Sequence, residues 1–205
     1  TWHLDQWAED IAIFCSTLGI SSPVVFGQSF GGMVAMHYAA RHPKGISKLI
    51  LSSTAAHFRL DETVKMMRKL GGPRAADVAY EFFSHPSKAA YETYGQVCLP
   101  LYSNPNVPAA GAFRDRAIER PEVAFHFFSD EMAQMDMRAE IANITCPTLV
   151  IGGAIDPVTP PICSKAIADA IGDNARLRMF EGCGHGPHRD DPTGAEKIMR
   201  HFLAD

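Results

Sequence analysis

A chain of 205 residues is long enough to bury a core and short enough for one domain, or one domain with an insertion. Its 46% hydrophobic and 20% charged residues are those of a soluble globular protein, and a net charge of −4 gives no reason to expect a nucleic-acid or anionic-membrane partner. No apolar run approaches the roughly 20 residues of a membrane span, and "TWHLDQWAED" has no basic-then-apolar pattern of a signal peptide. The chain lacks an initiator Met, so a fragment or a processed chain is expected. Five scattered cysteines without a CxxC pair fit reduced thiols in a cytoplasm better than a disulfide framework. No cluster has the spacing of a zinc site, so no metal or other cofactor is expected.

In chain order, residues 4–18 place Leu4, Trp7, Ile11, Phe14 and Leu18 at steps of three and four, which predicts one apolar helix face. Gly19 follows as a stop. "PVVFG" (23–27) is a short strand, and "SFGGMVAMHYAARH" is a helix ended by Pro43. Further strands are predicted at 47–53, 147–153 and 176–182. "PICSKAIADAIG" and "PTGAEKIMRHFLAD" are helical, the latter with Asp191 as cap and Pro192 at its first position. Strand alternating with helix predicts an α/β fold with a parallel sheet covered on both faces. Residues 56–140 break that rhythm: they contain helix-like pieces, no convincing strand, and 11 of the 19 aromatics. The expected organisation is an α/β core of residues 1–55 and 141–205 with a helical cap at 56–140.

Gly27-Gln28-Ser29-Phe30-Gly31 fits G-x-S-x-G between a β-run and a helix. A nucleophile on a sharp strand-to-helix turn projects its oxygen above the sheet, and the turn should admit only small residues two positions either side. Gly32 and Ala35 should let the helix lie close to the sheet. The Phe30 N–H, at the helix N-terminus, is a candidate oxyanion donor. A polar residue in an ordinary strand–helix connection is the alternative for Ser29.

A serine nucleophile needs a base and an orienting acid. His185 stands in a glycine-rich loop just after a predicted strand. His188 is its close decoy, otherwise a surface-loop histidine. His37 and His42 fall within or at the end of a helix and are expected to be structural or solvated. Asp156 lies just beyond another predicted strand, with an Asp-Pro turn as the alternative. Asp190 and Asp191 are taken as loop and helix-cap residues. Asp136 is a weaker alternative acid.

In the order Ser29, Asp156, His185, these residues and their contexts resemble the α/β-hydrolase superfamily over essentially the whole chain. "VVFGQSFGG" resembles its nucleophile elbow, "PTLVIGGAIDPVTP" its acid loop and "FEGCGHGPHRDDP" its histidine loop. The resemblance implies Ser29 as nucleophile, His185 as general base and then acid, and Asp156 as orienter. Within the superfamily the chain looks most like bacterial proline iminopeptidase-like hydrolases, although Phe30 stands where their elbow usually has Trp. Those enzymes hold a free amino group with cap carboxylates, for which Glu131, then Glu119 and Glu122, are candidates beside a solvated reading. Gln28 is a further substrate-binding candidate. Phe83, Tyr94, Phe127 and Phe128 either line a pocket or pack within the cap.

The same resemblance implies strands ahead of residue 1, one connection of which completes the oxyanion hole. It leaves four strands here, with "PVVFG" at an exposed edge, where buried apolar strands fare poorly. A C-terminal portion of a longer hydrolase is therefore expected, weakly active or inactive and poorly soluble alone. Two functions follow: a serine hydrolase of small peptides or esters, including proline-releasing or carboxylesterase/lactonase types, or a non-catalytic hydrolase-like binding module. Epoxide hydrolase and dehalogenase chemistry is excluded, because it needs a carboxylate at position 29.

Overall fold

A computed structural model describes residues 2–107, 118 and 120–205. Four strands, β1 (Val24–Gln28), β2 (Lys48–Ser52), β3 (Thr148–Gly153) and β4 (Ala175–Phe180), form one parallel sheet in the order β1-β2-β3-β4. They fall within two residues of the four predicted runs. The helices are α1 (Leu4–Thr17), α2 (Phe30–Arg41), α3 (Leu60–Ser84), α4 (Lys88–Val97), α5 (Pro121–His126), α6 (Met132–Gln134), α7 (Arg138–Ile141), α8 (Pro161–Ile171), α9 (Pro187–Asp190) and α10 (Pro192–Ala204). A π-helical turn, Phe127–Glu131, joins α5 to α6.

Strand side chains alternate between faces, and the core divides accordingly. Leu49, Leu51 and Val150 belong to a large cluster with Met36, Ala39, Ile141 and Ile167, so α2, α7 and α8 cover that face. Ile50, Leu149 and Ile151 belong to a second cluster with Phe202, which α10 supplies. Each fully buried Leu or Ile contributes roughly 1.5–3 kcal/mol of hydrophobic stabilisation. β1 is an edge. In register, Phe26 stands beside Ile50 and Val24 beside Lys48. Both apolar side chains are about half exposed, because α10 packs over Ile50, Leu149 and Ile151 and stops short of β1.

The predicted apolar face of α1 is correct only in its first half. Leu4 and Ala8 are buried, and Trp7 and Ile11 pack on the core. Phe14 and Leu18 are each 59% exposed. α1 rests on α2, and its last turn runs beyond that support. Ile13, Ile20, Val24 and Phe26 are also exposed, so an apolar surface runs from the end of α1 into β1.

Among the described residues, those between β2 and β3 form no strand; an isolated bridge between His57 and Asp136 closes the segment. Within this segment α3 is two helices that meet at a kink at Gly72. Gly72 has φ 76°, a left-handed conformation that suits glycine, and Pro73 restarts the helix without needing an N–H donor. Phe82, Phe83, Tyr94 and Phe128 pack on one another with ring centroids 4.5–5.6 Å apart. These rings therefore form the interior of the helical segment.

Candidate active site

Ser29 joins β1 to α2 at φ 52°, ψ −123°. A non-glycine residue there costs roughly 1–3 kcal/mol and persists only where its surroundings hold it. They do. Ser29 N–H donates to Ser52 O at 3.0 Å, and Ser29 O accepts from the N–H groups of Gly32 and Met33. The Thr54 hydroxyl donates to the same carbonyl at 2.7 Å. The turn is tight on one side only. A Cβ at Gly27 would lie 2.5 Å from Gly31 O, 2.7 Å from Gly32 Cα and 2.8 Å from Ala35 Cβ. A Cβ at Gly32 would meet Thr54 at 2.6 Å. A Cβ at Gly31 would meet nothing within 4 Å among the described residues beyond its own helix. The expected crowding two residues after the serine is thus absent; the close approach falls at Gly32 instead.

The loops after β3 and β4 bring Asp156 and His185 to this elbow. Ser29 Oγ lies 2.9 Å from His185 Nε2, and His185 Nδ1 lies 2.9 and 3.0 Å from the two Asp156 oxygens. This arrangement assigns the imidazole proton to Nδ1, donating to the carboxylate, and leaves Nε2 to accept from the serine hydroxyl. Asp156 is fully buried. Its Oδ1 accepts from the N–H groups of Val158 at 2.8 Å and Thr159 at 2.9 Å, and its Oδ2 accepts from the Thr159 hydroxyl at 2.9 Å. Burial alone would raise its pKa. The His185 charge and hydrogen bond, with the two backbone donors, outweigh burial and hold the carboxyl below its ordinary value.

The His185 backbone is held on three sides. Its N–H donates to Tyr102 O at 2.6 Å, and its carbonyl accepts from the Gln28 amide at 3.0 Å and from Arg189 at 2.8 Å. Gln28 therefore braces the histidine loop, which sequence reasoning did not foresee. The Tyr102 ring stands edge-on to the His185 ring with centroids 5.1 Å apart, and its hydroxyl lies 2.7 Å from that of Tyr94. The Phe30 N–H is the first of α2 and has no carbonyl four residues back within the helix. The Phe30 ring lies between Trp7 and Phe127, at 4.7 and 4.9 Å.

The other candidates lie elsewhere. Glu131 accepts the Leu4 N–H on both oxygens at 3.2 Å, capping α1, whose N-cap residue His3 offers no side-chain bond. Glu122 is exposed beside Arg120, and Glu119 lies outside the described residues. Asp136 pairs with Arg138 on the surface. Asp191 caps α10 by accepting the Gly194 N–H at 2.9 Å. His188 is half buried against Phe26 and is not a surface-loop residue; burial, then the Arg189 charge, lowers its pKa. His37 lies between Asp5 and Glu140, and His42 faces Glu9.

Residues 1–192 match the family model described as the alpha/beta hydrolase fold. The chain belongs to the α/β-hydrolase fold family. A proline iminopeptidase from Clostridium botulinum is 27% identical over 215 aligned positions, covering 98% of this chain and 73% of that protein. One from Lactobacillus delbrueckii subsp. lactis is 25% identical, covering 96% and 70%. Among solved structures, an alpha/beta fold family hydrolase from Bacillus anthracis superposes with a TM-score of 0.77 at 18% identity, covering 97% of this chain and 73% of that one. A proline iminopeptidase from Mycobacterium smegmatis gives 0.73 at 22% identity, covering 99% and 72%. These hydrolases share the fold, and no helix among the described residues is long and apolar enough to cross a membrane.

Proposed function

We propose that this α/β-hydrolase is a serine hydrolase that works through an acyl-enzyme on small ester or short-peptide substrates. The observation that carries this reading is the 2.9 Å approach of Ser29 Oγ to His185 Nε2, with Nδ1 held by Asp156. Ser29 attacks the substrate carbonyl as its proton passes to Nε2. Asp156 stabilises the imidazolium, and the Phe30 N–H donates to the oxygen on which negative charge develops. His185 then returns the proton to the leaving group. Water, activated by the same imidazole, releases the acid and frees Ser29.

The curated relatives make a prolyl amide the first substrate to try. The position of Glu131 favours a second reading. Its carboxylate is engaged by the Leu4 N–H, which suits an esterase, since an ester needs no anchored amino group. Five free thiols support a reducing, cytoplasmic setting. Turnover of proline p-nitroanilide and p-nitrophenyl acetate by wild type and Glu131→Gln separates the readings. An aminopeptidase with Glu131 as anchor loses prolyl turnover selectively in the variant. An esterase turns over the acetate equally in both proteins. Turnover of neither substrate by the wild type contradicts the hydrolase reading for these classes.

A further inference from the structure

His3 precedes α1, whereas His126 ends α5 and Asp130 lies four residues on, in the π-helical turn. One ligand atom from each of these side chains lies within 4.8 Å of the other two. No local spacing encodes this cluster, because folding brings its halves together from distant parts of the chain. We infer that His3, His126 and Asp130 bind one divalent metal ion, best suited to zinc, that clasps the segment before α1 to the π-helical turn.

Four observations support a metal over a chance meeting of polar groups. His126 Nε2 is buried and has no hydrogen-bond partner among the described residues, which is costly for an imidazole nitrogen. His3 Nδ1 lies 3.4 Å from Glu131 Oε1. That carboxylate adds negative charge beside the cluster, which favours a bound cation. The rings of His3 and His126 are already close, with centroids 5.2 Å apart. Finally, Asp130 and Glu131 line an adjoining cleft of about 290 Å³ with Asp5 and Asp136, so the surroundings attract a cation.

The donor set narrows the ion. Two imidazoles and one carboxylate suit zinc and its late first-row neighbours better than magnesium or calcium, which prefer oxygen. A tetrahedral ion with bonds near 2.1 Å sets its ligands roughly 3.4 Å apart, so from separations of up to 4.8 Å the three side chains must draw together by up to about 1.4 Å. Asp130 is exposed and His3 is partly so, which leaves them room to move. Three protein ligands leave the fourth position to water. The clasp would steady Phe127, next to His126, whose ring packs against Phe30 beside Ser29. It needs no part in the acyl chemistry and does not rest on the proposed function.

The test uses the untagged 205-residue chain, stripped with a chelator and titrated with zinc chloride by calorimetry. One zinc per chain is expected. His126→Gln and His3→Gln should each weaken binding by about tenfold or more. His85→Gln, at an exposed histidine paired with Glu81, should bind as wild type does. Circular dichroism melts guard against misfolding: at a fixed zinc concentration the metal should raise the wild-type midpoint more than that of His126→Gln. Absence of stoichiometric zinc binding overturns the inference, as does equal binding or equal thermal response by wild type and His126→Gln.

Discussion

The Asp190 carboxylate accepts the Gly184 N–H at 2.7 Å, one residue before the imidazole that meets Ser29. The same oxygen accepts the Asn104 N–H at 3.0 Å, tying the histidine loop to the helical segment. Asp190→Ala leaves two partly buried donors unpaired, at a cost of about 1–3 kcal/mol for such a group. Turnover should fall about tenfold to a hundredfold through kcat, with KM little changed, because the imidazole is misplaced while the pocket persists. Asp190→Asn keeps an acceptor and should recover most of the loss. Steady-state kinetics of the three proteins checks this. A KM effect alone would point to substrate contact instead.

Gly27 and Gly31 flank the elbow, yet the structure distinguishes them. Gly27→Ala drives a methyl group into the backbone of Gly31 and Gly32 and should destabilise by about 1–3 kcal/mol. Gly31→Ala enters open space and should change stability by no more than about 0.5 kcal/mol. Urea unfolding of both variants decides the matter. Equal destabilisation would mean that the elbow is crowded on both sides.

The candidate triad was legible in the sequence because its signals are local. G-x-S-x-G specifies a strand–turn–helix, and Asp156 and His185 each follow an apolar run that becomes β3 or β4. What stayed hidden depends on which elements meet. Phe14 and Leu18 keep perfect helical spacing, but both are exposed, with little among the described residues packed beneath the last turn of α1. Asp190 looked like a loop residue because Asn104 and Gly184 reach it only in the folded chain. Gln28 and Glu131 are polar residues near the right motifs. Their partners, the His185 carbonyl and the Leu4 N–H, are backbone groups that no side-chain pattern announces.

Asp156 links the candidate triad to acid stability. Its folded pKa lies below its ordinary value, so its contribution is fully present above the unfolded carboxylate pKa of about 3.9 and is lost as pH falls through the folded value. The thermal midpoint of wild type should therefore fall as pH drops below about 4. Asp156→Asn should start lower at pH 7 and lose less on acidification. Some loss should remain, since Asp5, Asp61 and Asp136 are also held low by His or Arg partners. Scanning calorimetry from pH 7 to pH 3 measures both slopes. Parallel curves would show that Asp156 is not stabilised as an anion. In the same variant turnover should fall by about four orders of magnitude.

The central claim is that Ser29 is a nucleophile activated by His185. Intact-protein mass spectrometry after treatment with a fluorophosphonate tests it most directly. Wild type should gain one phosphonyl adduct, and peptide mapping should place it on Ser29. Ser29→Ala should gain none, and His185→Ala should label at least about a hundredfold more slowly. An adduct of equal yield on Ser29→Ala, or labelling of wild type that is indifferent to His185→Ala, would contradict the account.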